Sequence, residues 1–381
     1  MNKPLKFRNS IIFTAMKWLP LLFLSIFSVE CVSQEKHAWF SSIEIDYFYG
    51  TILEHNPEIG HLITRHPEGI VLQYNVKTFG FKEWERRHNY PDWGLTFSYQ
   101  DMKNPNLGEL YGLYSHISWY FLKRNVQLGI GTGIAYATNP YHPDTNYLNN
   151  AFGSSILSAT LLKLNYHKEN LWNGFGVQAG LSLFHYSNGN FTAPNTSTNT
   201  FAFNVGLNYN LNQEPIPEYI PFERETFSEP IKLNVLVRFG INESDVIGLG
   251  KSPFVVVSAF TDKRLSKTSS VYAGAELFLS YFLKDLIEYR AIAYPEFNIS
   301  GEEDFKRVGI FAGYQFRVNK LAPFVNAGYY VYYPYDFEGR MYNRLGIKRY
   351  FGEKEQLFGI LSVKAHAAKA EAIEFGVGIR L

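Results

Sequence analysis

Residues 175–187 read Phe-Gly-Val-Gln-Ala-Gly-Leu-Ser-Leu-Phe-His-Tyr-Ser, and their alternation decides the fold. Phe175, Val177, Ala179, Leu181 and Leu183 share one parity, and Gly176, Gln178, Gly180 and Ser182 share the other. Phe184 alone breaks the pattern. A strand turns successive side chains to opposite faces, so this period of two predicts a β-strand with one greasy side. His185 and Ser187 continue the parity of the greasy side. A nucleophile and a base on an oily face suit an oily substrate.

The same pattern recurs along the chain. Val126, Leu128, Ile130, Thr132 and Ile134 alternate with Gln127, Gly129, Gly131 and Gly133. Val235, Val237, Phe239 and Ile241 alternate with Asn234, Arg238, Gly240 and Asn242, and Val308, Ile310, Ala312, Tyr314 and Phe316 with Arg307, Gly309, Gly313 and Gln315. The chain closes on Ile373, Phe375, Val377, Ile379 and Leu381 opposite Glu374, Gly376, Gly378 and Arg380. With 27 Tyr, 32 Phe and 30 Gly, this composition suits an all-β, antiparallel transmembrane barrel of the outer-membrane type, with aromatic girdles at its two interfaces. A soluble β-sandwich also alternates. The number of successive strands with this pattern, and the apolar final residue, favour the barrel.

Connections sort by length. Segments 51–68, 101–109, 138–153, 188–200, 242–252 and 283–304 are long and polar, whereas those near 123–125, 167–173, 262–268 and 318–323 are mostly shorter. Long loops after odd-numbered strands fit a barrel whose N-terminus is periplasmic. Eight strands precede Asn212, and the total is about 14–16. The Pro-rich stretch Gln213–Pro230 is either a long turn or a join between two barrels. One enlarged barrel is the preferred expectation, since a second closed barrel needs a complete ring of its own. An eight-stranded barrel with a second β-domain is the alternative.

Lys3, Lys6 and Arg8 precede an apolar run, Trp18–Phe27, too short to span a bilayer as a helix. This resembles a secretory signal over residues 1–33, cut after Ser33 to leave Gln34. A lipoprotein reading of Cys31 is weaker, because Glu30 occupies a place that wants a small residue. Removal of Cys31 would leave no cysteine, so neither disulfides nor cysteine-ligated metal are expected. The expected organisation is then 34–212, with the His185 stretch, and 213–381 as additional strands. A net charge of +1 gives no argument for nucleic acid.

By the strand count, the His185 strand is the seventh and runs outward, placing 188–200 at the cell exterior. Asn199 shares the parity of Phe201, so it leans to the same face as His185 and Ser187. Residues two apart on a strand lie side by side, so His185 is positioned to take the Ser187 proton. Asn188, Gly189 and Asn190 supply amide donors for a developing oxyanion. The plain alternative is a set of ordinary polar residues where a strand enters a loop. Scattered His61, His66, His116, His142 and His167 show no metal spacing, and Glu302-Glu303-Asp304 reads as a solvated turn before a calcium site. Arg65, Lys82, Arg86 and Arg87 read first as solvated charges, with Arg65 alone on the outer side.

His185-Tyr186-Ser187-Asn188-Gly189-Asn190, then Pro194-Asn195 and Asn199, resembles the active-site stretch of the outer-membrane lipid A 3-O-deacylase family, also called acyloxyacyl hydrolases. The likeness extends to Gly206-Leu207-Asn208-Tyr209 and covers roughly residues 37–212. Thr138-Asn139-Pro140-Tyr141 through Ser154-Ser155, together with residues 213–381, resembles the longer Bacteroidetes-type members. The resemblance implies an ester hydrolase acting on lipid A of lipopolysaccharide, embedded in a bacterial outer membrane and without a cofactor. It implies Ser187 as nucleophile, His185 as base, and Asn188, Gly189 and Asn195 around the oxyanion. The family carries an acid where this chain has Asn199. An amide orients an imidazole without stabilising its charge, and in a serine protease that exchange costs about 10⁴ in rate. A non-enzymatic barrel (porin, transporter or structural) and an outer-membrane phospholipase remain as rivals.

Overall fold

The computed structural model describes residues 40–212, 217–223, 226–367 and 369–381. The expected leader, with Cys31 and Gln34, lies outside the described residues. Eight antiparallel strands come first: β1 (Ser41–Ile52), β2 (Glu68–Val76), β3 (Asp92–Asp101), β4 (Glu109–Phe121), β5 (Val126–Ala137), β6 (Ile156–Trp172), β7 (Phe175–Ser187) and β8 (Thr198–Asn210). Eight more follow the join: β9 (Lys232–Glu243), β10 (Lys251–Arg264), β11 (Ser269–Ser280), β12 (Arg307–Phe316), β13 (Leu321–Tyr332), β14 (Met341–Phe351), β15 (Leu357–His366) and β16 (Lys369–Arg380).

These strands form two closed barrels, not one enlarged ring. β8 returns to β1 in a register running from Ser42↔Asn210 to Ile52↔Thr200. β16 returns to β9 from Phe375↔Phe239 to Arg380↔Asn234. The all-β barrel and the strand number are as the sequence indicates, but the arrangement is the alternative one. Its physical reason lies inside the rings. Eight strands enclose a space that side chains can fill, whereas a ring of sixteen leaves an aqueous channel. Large inward side chains that pair across the lumen, Lys163 with Asp46 and Arg344 with Glu276 among them, suit the smaller ring.

β1 shows the division of faces. Ile43, Ile45, Tyr47 and Tyr49 point outward and are exposed, while Glu44, Asp46 and Phe48 point inward and are buried. In the first lumen Lys163 Nζ donates to Asp46 Oδ2 at 2.7 Å and Glu44 Oε2 at 3.2 Å. Gln178 Nε2 reaches Asp46 Oδ1 at 2.7 Å. Towards the long-loop end, Phe48 packs on Phe184 at 4.5 Å between ring centroids. The Phe184 that interrupts the apolar stripe of β7 is therefore an inward plug. In the second lumen Arg344 donates to Glu374 Oε2 at 2.6 Å and Glu276 Oε1 at 2.9 Å, and Arg238 donates to Glu276 Oε2 at 2.9 Å. Lys348 sits in an aromatic box of Phe260, Tyr272, Tyr350 and Phe358. Buried charges persist only when partnered in this way.

Long and short connections segregate to opposite ends, with two exceptions: the β2–β3 connection is long and carries a short helix, α1 (Glu83–Arg87), and β15 turns tightly into β16, His366 pairing with Lys369, at the long-loop end of the second ring. A second helix, α2 (Tyr281–Ala293), packs Phe282, Leu283, Leu286 and Ile287 against Tyr335 and Phe337 at the long-loop end of the second barrel. The join packs at the other end, where Tyr219 lies 5.5 Å from Phe79 and 4.6 Å from Tyr90. There too the rings meet: His88 Nε2 donates to Arg317 O at 2.9 Å, and the His88 ring rests 4.3 Å from Phe316. Contacts at the long-loop end bring the barrels together a second time, so they stand side by side with the same sense.

Candidate active site

β7 carries the site because its parity survives to its last residue. Tyr186 turns into the lumen, where its hydroxyl accepts from Tyr114 at 3.0 Å. Its neighbours His185 and Ser187 are thereby committed to the outer face. Register places Thr160 of β6 and Asn199 of β8 on either side of His185, and Ser158 beside Ser187. Immediately below this polar patch lie outward Leu162, Leu181 and Phe201, all exposed. The patch thus marks the boundary between an apolar belt and a polar rim.

His185 Nδ1 lies 2.7 Å from Asn199 Oδ1. An amide oxygen only accepts, so Nδ1 carries the proton and Nε2 keeps its lone pair. Ser187 is 4% exposed, covered by the loop that follows it. Its Oγ donates to Asn195 Oδ1 at 3.2 Å and accepts from Asn195 Nδ2 at 3.0 Å and from Gly189 N at 3.0 Å. Asn188 N also donates to Asn195 Oδ1, at 2.9 Å, and the Asn188 side chain donates to Thr192 O at 2.6 Å. The loop turns back on itself through Gly189 and Asn190, with φ of 63° and 58°. Glycine suits the first position doubly, since a Cβ there would lie 2.5 Å from Cγ1 of Ile373.

The structure therefore gathers His185 with Asn199, and Ser187 with Asn188, Gly189 and Asn195. It does not join the two groups by a hydrogen bond between His185 and Ser187. Free-enzyme contacts of this kind commonly tighten only with substrate bound.

Three contributors are invisible to local spacing. His55, from the β1–β2 connection, reaches over the start of β8, with Nε2 2.9 Å from Thr196 O and 3.2 Å from Ser197 Oγ. Glu243 and Ile373 come from the second barrel. All are remote in sequence, and no motif announces them. Glu303 is held by its own turn: the Ser300 and Gly301 amides donate to its carboxylate and keep it below the usual carboxylate range. Asp304 accepts from Lys306 N and Tyr332. The acidic turn is thus occupied with its own backbone.

Two family models match the sequence. One, described as lipid A 3-O-deacylase, matches residues 68–208. The other, acyloxyacyl hydrolase C-terminal domain, matches residues 231–381. No curated protein matches. Among solved structures, a triple mutant of the Rhodopseudomonas blastica porin is 7% identical over 90% of this chain and 99% of that one, with a TM-score of 0.19. Another mutant of that porin is 9% identical at the same coverage, with a TM-score of 0.20. Such low scores carry no argument about this chain. The two family matches fall one on each barrel.

Proposed function

Because the chain belongs to the lipid A 3-O-deacylase family, with the acyloxyacyl hydrolase C-terminal domain as its second barrel, we propose that it resides in a bacterial outer membrane after export and removes an ester-linked acyl chain from lipopolysaccharide. The observation that carries this reading is the outward polar patch directly above an apolar belt. A barrel exterior of that kind matches lipid, and its long-loop end matches the cell surface. An ester near the headgroup boundary then meets His185 and Ser187 without entering either lumen.

In this mechanism Ser187 Oγ rotates from Asn195 towards His185 Nε2. Its proton passes to Nε2 as Oγ attacks the ester carbonyl. The Gly189 amide and the Asn195 side-chain amide, both 3.0 Å from Oγ, are the nearest donors for the developing oxyanion. Collapse expels the sugar hydroxyl, which takes the proton back from Nε2. Water, deprotonated by Nε2, then releases the fatty acid from Ser187. Asn199 orients the ring but adds no negative charge, so turnover is slow compared with an acid at that place.

The filled lumens speak against a porin, which needs an open aqueous path. A phospholipase would use the same machinery, so substrate decides. Purified protein in vesicles containing lipopolysaccharide is expected to release fatty acid, and Ser187→Ala to release none. Equal release from vesicles of phospholipid alone would favour the phospholipase, and no release from either would favour a non-enzymatic barrel.

A further inference from the structure

The loop that covers Ser187 is held from both barrels. On its own side, Thr196 N donates to Asn150 O at 3.1 Å. Across the interface, Glu243 at the end of β9 grips it twice. Glu243 N donates to Asn190 O at 2.9 Å, and Glu243 Oε2 accepts from Ala193 N at 3.1 Å. Ile373 of β16 closes against Gly189, and Lys251 of β10 lies over the Phe191 ring, its Nζ 4.0 Å from the centroid. The Glu243 residue is only 9% exposed, and among the described residues its carboxylate has the Ala193 amide as its hydrogen-bond partner. A carboxylate is seldom buried for one backbone donor. Burial here fixes a loop, and that loop carries the Gly189 and Asn195 donors on Ser187.

We propose that the second barrel is part of the hydrolytic unit, with Glu243 as a positioning residue that sets the 188–195 loop, and through it the donors around Ser187. This rests on the hydrolase reading. Glu243 touches neither Ser187 nor His185 by any hydrogen bond, so its effect falls on the chemical step and leaves lipid capture alone. The second barrel then acts as a fixed wall behind the nucleophile, which explains why Gly189 has no room for a side chain.

The test compares wild type, Glu243→Gln and Glu243→Ala in the full chain, with barrel closure checked by heat-modifiable mobility in detergent gels. Two readouts are needed: kcat and KM on lipopolysaccharide, and the rate at which a fluorophosphonate probe labels Ser187. Glu243→Ala is expected to lower kcat and the labelling rate by about tenfold or more, the scale of a lost hydrogen bond to a charged acceptor, with KM unchanged. Glu243→Gln keeps an acceptor and is expected to recover part of both. A second pair guards against misfolding: Gly189→Ala should be impaired both by Ile373 and by its φ of 63°, and adding Ile373→Ala should recover the part of the loss due to Ile373. Unchanged kcat and labelling in Glu243→Ala would overturn the proposal, as would a double variant no better than Gly189→Ala. Wild type that labels in a Glu243-dependent way but leaves lipopolysaccharide intact would remove the substrate assignment and support the positioning role.

Discussion

At single residues, the proposed catalysis turns on what an amide can do for an imidazole. Asn199 Oδ1 accepts from His185 at 2.7 Å, which fixes the tautomer but leaves a developing imidazolium without a counter-charge. Asn199→Asp should therefore raise kcat on lipopolysaccharide by at least tenfold, with about 10⁴ as the ceiling set by the converse exchange in a serine protease. A single-turnover assay of fatty-acid release measures this, and a slower Asn199→Asp enzyme would argue against His185 as the base. The parity of His185, Ser187 and Asn199 was legible in the sequence, because a period of two needs no knowledge of distant partners. The hydrogen bonds around Ser187 were not. They depend on a loop that turns back through Gly189 and Asn190, and loop conformation has no comparable period.

The strand is the unit that converts this parity into a site. β7 is held in register by neighbours on both sides and pinned from within by Phe184 and Tyr186. Phe184 is fully buried and packs on Phe48. Phe184→Ala would leave a cavity and lower stability by about 3–5 kcal/mol. Urea unfolding followed by intrinsic fluorescence in lipid or detergent gives the value, and a loss below about 1 kcal/mol would mean the lumen collapses around the gap. Strand bounds were largely readable, β7 above all, because apolar outward residues and small or polar inward ones keep strict alternation. Phe184 reads as an irregularity in sequence and as a plug in space. An inward aromatic breaks a hydrophobic pattern without breaking the strand.

For the whole molecule, alternation says how many strands there are but not which strand closes on which. Pairing of β8 with β1, and of β16 with β9, is set by the volume of what lies inside. That information resides in combinations such as Lys163 with Glu44 and Asp46, or Arg344 with Glu276 and Glu374. Docking of the rings is equally non-local, and at the short-turn end it includes a titratable group. Burial, and secondarily the Arg87 charge, push the His88 imidazole below its ordinary value, against the opposing pull of the Arg317 carbonyl. A depressed histidine favours the docked state above its ordinary pKa of about 6.5. Stability is lost as pH falls from there through the lowered value, because the undocked imidazole binds the proton more readily. Thermal midpoints at pH 8 and pH 5 should fall further for wild type than for His88→Gln, and equal falls would remove His88 from the interface energetics. The most direct test of the central claim is mass spectrometry of lipid A from cells expressing wild type or Ser187→Ala. Hydrolysis by Ser187 predicts loss of one acyl mass with wild type and intact lipid A with Ser187→Ala. Intact lipid A in both, or the same loss in both, would contradict it.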